Sequence, residues 1–195
     1  IVCDDGSTDG VGRVAREAGA VVVRHERNMG KGVALKSLFQ AALGMGADIV
    51  VTLDGDGTHD PGDIPTLLRP VLGGNPGADV VIGSRFMGGG FGPVSRLNFI
   101  GNKLINFLIF LFTGRFLSDS QSGFRVFRRE VLTGLKLNAV GYDVESELTI
   151  RCIRRGCRIV EVPIVCRRSL RVSRLSSFRD GLRILRTILR TAFLR

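Results

Sequence analysis

Asp54 and Asp56 stand one glycine apart at the end of an apolar run, Ile49-Val50-Val51-Thr52-Leu53, which continues into Gly57-Thr58-His59-Asp60-Pro61. The run is β-branched and closed by glycines, the pattern of a short buried strand. In an extended segment alternate side chains face the same way, so the two carboxylates would converge on one divalent cation. Mg²⁺ or Mn²⁺ suits them, because hard cations take oxygen ligands and keep positions open for substrate phosphates. Gly55 and Gly57 permit the tight backbone that such an approach needs. Asp and Gly are also ordinary turn residues, so the pair taken alone reads as a polar turn.

Other residues able to do chemistry recur at comparable places. Asp4-Asp5-Gly6-Ser7-Thr8-Asp9-Gly10 follows the apolar Ile1–Cys3, and Gly83-Ser84-Arg85 follows Asp79–Ile82. Asn28-Met29-Gly30-Lys31-Gly32 is a glycine-bearing turn whose lysine either reaches a phosphate or stays solvated. The elements that must position them alternate in type. Helices are expected over 10–18, 33–43 and 63–72, with strands over 1–3, 20–23, 49–53 and 79–82. That order predicts a parallel α/β sheet, and such sheets bind ligands beyond the carboxyl ends of their strands. Asp4, Asp5, Asp54, Asp56 and Arg85 would then line one crevice.

The second half carries different signals. Residues 86–93 are glycine-rich, which suits a mobile loop over the site. Residues 97–116 are densely apolar, yet Asn98, Asn102, Lys103 and Asn106 interrupt the first half. The stretch is too short and too polar for a comfortable membrane span, and reads as an interfacial helix or a buried core helix. Asp119-Ser120-Gln121-Ser122-Gly123-Phe124-Arg125 is a polar loop ahead of a helix near Arg128. Asp143 is placed to cap a helix opened by Glu145 and Glu147, and Pro163 puts the strand 159–165 at a sheet edge. Beyond residue 166 arginines dominate. Arg179, Arg183, Arg186 and Arg190 recur at helical spacing beside leucines and isoleucines, giving a helix suited to an anionic membrane surface or a solvated face.

Composition bounds the partners. With 195 residues and 44% apolar content the chain can bury the core of one domain, and we divide it into residues 1–166 and a basic segment 167–195. The net charge of +10, from 28 Lys and Arg against 18 Asp and Glu, calls for an anionic partner. Nucleic acid is disfavoured, since there is no Trp, a single Tyr and no nucleic-acid motif. The four cysteines show neither zinc spacing nor a disulfide framework. The chain opens on Ile1 inside a strand, so an earlier N-terminal strand is expected.

Taken in order, Asp4-Asp5-Gly6-Ser7-Thr8-Asp9, Asn28-x-Gly30-Lys31-Gly32, Asp54-Gly55-Asp56 with Pro61, Gly83-Ser84-Arg85, the segment 119–125 and Gly141-Tyr142-Asp143-Val144-Glu145-Ser146-Glu147-Leu148 resemble the family 2 glycosyltransferases. Within that family the set is most similar to the dolichyl- and polyprenyl-phosphate sugar transferases. The resemblance implies a GT-A-like nucleotide-diphospho-sugar transferase fold, a mostly parallel sheet flanked by helices. It assigns Asp5 to the nucleotide's base or ribose, Asp54 and Asp56 to the diphosphate and its metal, and Arg85 to the donor pocket. Asp119 becomes the carboxylate nearest the transferred sugar or acceptor; the alternative is a simple cap. Arg168 and Arg174 match a pair that engages the donor diphosphate and the lipid phosphate.

The resemblance therefore implies an inverting, metal-dependent transferase with Asp56, Asp119 and Arg85 in catalytic positions. Its donor would be GDP-mannose or a UDP-sugar, and its acceptor a polyprenyl or dolichyl phosphate at the cytoplasmic face of a membrane. Thr58 replaces the glutamine common in relatives, and Asp143 replaces a lysine found in some mannose synthases. A family 2 enzyme with a hydroxyl acceptor and a non-catalytic nucleotide-binding or membrane-docking module remain as alternatives. No Gly-x-Gly-x-x-Gly follows a strand, which argues against a dinucleotide dehydrogenase.

Overall fold

The computed structural model describes residues 1–74, 77–87, 95–167 and 177–193. Arg168 and Arg174, and all but the first two residues of the glycine-rich 86–93 stretch, lie outside the described residues. The chain begins with β1 (Val2–Asp5), α1 (Val11–Glu17), β2 (Val22–His25), α2 (Lys31–Gly44) and β3 (Ile49–Thr52). A single 3₁₀ turn at Pro61–Asp63 leads into α3 (Ile64–Leu72), then β4 (Val80–Ser84) and α4 (Arg96–Thr113). β5 (Arg125–Arg128), α5 (Arg129–Leu132), α6 (Val144–Arg154), β6 (Ile159–Pro163) and α7 (Ser177–Phe193) complete it.

The described strands form two sheets. β1 pairs with β2 in parallel, and the larger sheet has the order β3-β5-β4-β6. β5 runs antiparallel to both of its neighbours, while β4 and β6 are parallel. β5 falls where a polar loop and a helix start were expected. Its Arg125 is buried among acceptors, with Nε donating to Ser122 O at 2.7 Å and Nη1 to Thr149 Oγ1 at 3.1 Å. Pro163 ends β6 at the sheet edge, where a missing N–H leaves no ladder bond unmade.

Alternation along β4 and β5 builds a layer on each face. Val80, Ile82 and Phe127 face a core shared with Phe39 of α2 and Val144 and Leu148 of α6. Val81 and Val126 face the opposite side, against Leu67 and Val71 of α3 and Ile164. A third cluster, Ile109, Ile150, Ile184 and Ile188, joins α4, α6 and α7 away from the sheet. The basic helix α7 is thus packed on the body of the protein. Thr187 Oγ1 also donates to Asp143 Oδ2 at 2.7 Å.

α4 is oriented against its composition. Ser95 caps it by accepting from the Asn98 amide at 3.2 Å, and Gly114 at φ 68° ends it. Its buried positions are Asn102, Asn106 and Ile109. Leu97, Ile100, Leu104, Phe107 and Leu111, three or four residues apart along one stripe, are 57–69% exposed. No described helix is long and apolar enough to cross a membrane.

Ile188 is 0% exposed and couples α7 to α4 and α6. Ile188→Ala should lower the unfolding free energy by about 2–4 kcal/mol. Urea denaturation checks this, and a loss below about 1 kcal/mol would mean that α7 is not seated as described.

Candidate active site

The carboxyl ends of β1 and β3 and the N-terminus of α2 border a cavity of about 650 Å³, lined among others by Asp5, Lys31, Asp54, Asp56, Tyr142 and Arg183. The turn before α2 packs tightly on the segment preceding α6. A Cβ at Gly30, which sits at φ +96°, would come 2.3 Å from Val140 O, and one at Gly32 would come 2.4 Å from Ala139 O. Only glycine fits either position. The Gly32 amide donates to Val140 O at 2.9 Å, which fixes the approach.

That approach delivers Lys31 between two carboxylates from distant parts of the chain. Its Nζ lies 2.8 Å from Asp54 Oδ1 and 2.7 Å from Glu145 Oε1, and 5.8 Å from the Tyr142 ring centroid. Burial by itself would depress the lysine pKa, but attraction from Glu145 and Asp54 outweighs it and raises the value. Burial likewise pushes Asp54 up, and Lys31 reverses the shift, leaving Asp54 below its ordinary value. Glu145 Oε2 is buried without a hydrogen-bond partner among the described residues. Asp54 also rests on Gly123, where a Cβ would come 2.6 Å from Oδ2.

Asp5 and Asp56 use their oxygens differently. Asp5 accepts from the Met29 amide at 2.9 Å, the Gly30 amide at 2.8 Å and His25 Nδ1 at 2.6 Å. Burial raises its pKa, but these donors dominate and hold it low. Asp5 thus reaches the cavity while also holding the turn that carries Lys31. Asp56 Oδ1 accepts from the Thr58 amide at 3.0 Å and from Thr58 Oγ1 at 2.6 Å. The threonine that stands in the usual glutamine position braces a ligand candidate.

β3 ends at Thr52, and residues 55–57 turn, so strand alternation does not bring Asp54 and Asp56 together. The turn nevertheless places both on the cavity wall. No group of three or more His, Cys, Asp or Glu among the described residues could hold a metal by itself. Two carboxylates still fit a hard cation that takes its remaining oxygens from a diphosphate and water.

The expected crevice is narrower than the sequence suggests. Asp4 accepts from the Ser7 amide at 2.9 Å and is not part of the cavity lining. Arg85 and Asp119 also lie outside that lining and pair with each other. Arg85 Nε donates to Asp119 Oδ2 and Nη2 to Oδ1, both at 2.7 Å, a bidentate fork. Asn102 Nδ2 donates to Asp119 Oδ1 at 2.8 Å, and the carboxylate is fully buried. Burial raises its pKa, but the Arg85 fork lowers it further, and the net value is low. Asp119, expected beside the sugar, thus holds Arg85. Glu161 on β6 anchors the same loop by accepting from the Ser118 and Asp119 amides at 2.8 and 2.9 Å.

Four residues at the site escaped the sequence reading. His59 Nδ1 accepts from the Asp54 amide at 3.1 Å, and burial, outweighing Asp54, keeps the ring neutral at pH 7. Glu145 reads from sequence as a helix-dipole partner, and nothing local marks it as the partner of Lys31. Arg179 and Arg183 read as a membrane-facing stripe, yet both line the cavity.

Solved structures similar to this chain include complexes of a nucleotide-sugar enzyme. Glucosyl-3-phosphoglycerate synthase from Mycobacterium tuberculosis, in complex with Mn²⁺, uridine diphosphate and glucosyl-3-phosphoglycerate, matches with a TM-score of 0.76 at 29% identity, covering 98% of this chain and 67% of that one. The fold is accordingly GT-A-like. The family model for glycosyl transferase family 2 matches residues 1–135, and the chain belongs to that family. A polyprenol monophosphomannose synthase from Mycolicibacterium smegmatis is 36% identical over 189 residues, 90% of this chain and 69% of the relative. A dolichyl-phosphate hexose transferase from Haloferax volcanii is 34% identical over 190 residues, 97% of this chain and 79% of the relative.

Lys31→Ala should leave Asp54 and Glu145 uncompensated. Lys31 is 27% and Asp54 33% exposed, so solvent screening reduces the expected loss to about 2–3 kcal/mol of unfolding free energy. Because the folded Asp54 pKa lies below the ordinary 3.8, the stabilisation is complete above that value and is lost as pH falls through the folded one. The gap between wild type and variant in chemical denaturation should therefore be constant near neutrality and close in strong acid. A gap that widens on acidification would contradict the pairing.

Proposed function

We propose that the protein moves a sugar from a nucleotide-sugar, GDP-mannose or a UDP-sugar, to the phosphate of a polyprenyl or dolichyl lipid at the cytoplasmic face of a membrane. The observation that carries this reading is how the carboxylates are engaged: Asp54 pairs with Lys31, Asp5 accepts two backbone amides, and Asp119 holds the Arg85 fork. Asp5, Asp54 and Asp119 are each held below the ordinary carboxylate value. A hydroxyl acceptor needs a general base, whose pKa is best placed near the working pH. A lipid phosphate arrives already ionised, so the protein has only to align it and stabilise the departing diphosphate.

In a single displacement the acceptor phosphate oxygen bonds to the anomeric carbon as the bond to the donor diphosphate breaks, with inversion. Asp56, with Asp54, would hold Mg²⁺ or Mn²⁺, which would supply positive charge to the leaving diphosphate. Asp5, on the cavity wall, orients the nucleoside, and Asp119 fixes Arg85. Arg168 and Arg174 are the candidates for the donor diphosphate and the acceptor phosphate, and the charge of each is the property required of it. The mannosyl and hexosyl transfer named in the relatives supports the lipid-phosphate class.

The same reading explains the polarity of α4. A helix that turns asparagines inward and Leu97, Leu104 and Phe107 outward needs an apolar partner. On α7, Leu182, Leu185, Leu189 and Phe193 are also exposed, beside Arg186 and Arg190. Leucines and phenylalanines rimmed by arginines match an anionic bilayer surface, where each basic residue contributes about 1 kcal/mol.

Two experiments test the reading. Labelled sugar should pass from GDP-mannose or a UDP-sugar to polyprenyl phosphate and not to the neutral polyprenol, and Asp56→Asn should slow transfer by about 10²-fold without loss of folding. Transfer to polyprenol or to phosphoglycerate with none to the lipid phosphate would overturn it. Separately, the double variant Leu104→Glu/Phe107→Glu should lose most of its co-sedimentation with vesicles containing phosphatidylglycerol, and added salt should weaken wild-type binding. Unchanged sedimentation in both cases would assign the α4 stripe to another partner.

A further inference from the structure

The first turns of α7 reach the cavity. Arg179, Asp180 and Arg183 line it together with Asp54 and Asp56. Arg183 is laid against the backbone of Gly141, where a Cβ would come 2.7 Å from Nη1, so the absence of a side chain at 141 makes room for the guanidinium. The helix beneath it is fixed by the Thr187–Asp143 hydrogen bond and by buried Ile184 and Ile188. Among the described residues no hydrogen bond or ion pair engages the guanidinium of Arg179 or Arg183. By contrast, Arg85, Arg125, Arg128 and Arg151 all donate to protein acceptors.

We propose that Arg183, with Arg179 beside it, forms an anion-binding subsite on the α7 wall of the cavity that takes the diphosphate of a nucleoside diphosphate or its sugar ester. This deepens the function proposed above and rests on it. Asp5, Asp54 and Asp56 on the cavity wall repel a diphosphate, and Lys31 is already committed to Asp54 and Glu145. Beside a metal on Asp54 and Asp56, further positive charge is available from α7, which brings two guanidinium groups without a partner among the described residues, Arg183 seated on Gly141. Guanidinium forks bind phosphate oxygens in pairs, which a lysine at the same place cannot reproduce.

Calorimetric titration of the protein with UDP and GDP in Mn²⁺ tests the assignment, with uridine and guanosine followed by ligand-detected NMR. Arg183→Ala should weaken diphosphate binding by about 10–100-fold and leave nucleoside binding unchanged. Arg183→Lys should recover part of the loss, and Arg179→Ala should show a smaller one. Arg69→Ala, exposed on α3 and outside the cavity lining, should bind as wild type does. Equal weakening of nucleoside and diphosphate, or a lowered melting temperature in Arg183→Ala, would assign Arg183 to the fold instead. Undiminished diphosphate binding by Arg183→Ala would overturn the subsite alone. If the wild type binds neither UDP nor GDP, the donor class fails and the subsite with it.

Discussion

The ammonium of Lys31, held between Asp54 and Glu145, ties the candidate site together. It joins the turn before α2, the end of β3 and the first turn of α6, three pieces that share no strand pairing. The geometry is possible because Gly30 and Gly32 let the turn press against residues 139–140. Asp5 closes the arrangement by holding the same turn through two of its amides. A charge that would be costly alone in this setting becomes a brace because both partners are negative and close. The site is therefore preorganised by electrostatics as much as by packing, and Asp5 and Asp54 are held below the ordinary carboxylate pKa.

Strands and helices of the first half were legible because their apolar runs and glycine stops are local signals. β5 was not, since Arg125 and Arg128 look like loop residues until Ser120, Ser122 and Ala78 supply buried acceptors. Asp54 and Asp56 were found by type and spacing, although the reason given, alternation along a strand, is not the one that brings them to the cavity. Lys31 was ambiguous because Glu145 lies far along the chain. Asp119 was visible as a carboxylate, yet its engagement by Arg85 and Asn102 depends on how β4, α4 and the 118–122 loop meet. Pairings between distant segments leave no period in a sequence, and they are what separate a residue facing the cavity from one supporting it.

The helices show the same division. The composition of α4 fits a core helix or a surface one, and only tertiary context shows that its asparagines face inward. There Asn102 holds Asp119, and Asn106 donates to Ser118 O at 2.8 Å, so the polar edge of the helix scaffolds the loop beside Arg85. α7 likewise has two duties. One side borders the cavity, and the outer side carries exposed leucines.

The outward apolar stripe of α4 has a consequence for the protein as a colloid. In water, such a face invites two copies to associate, and the tendency strengthens on warming because apolar burial is favoured by entropy near room temperature. The net charge of +10 opposes that encounter through mutual repulsion, which added salt screens. At an anionic surface the same charge attracts. On the proposed docking, the arginines that keep the free molecules apart would bring the stripe into contact with lipid, and self-association and docking would respond to ionic strength in opposite directions.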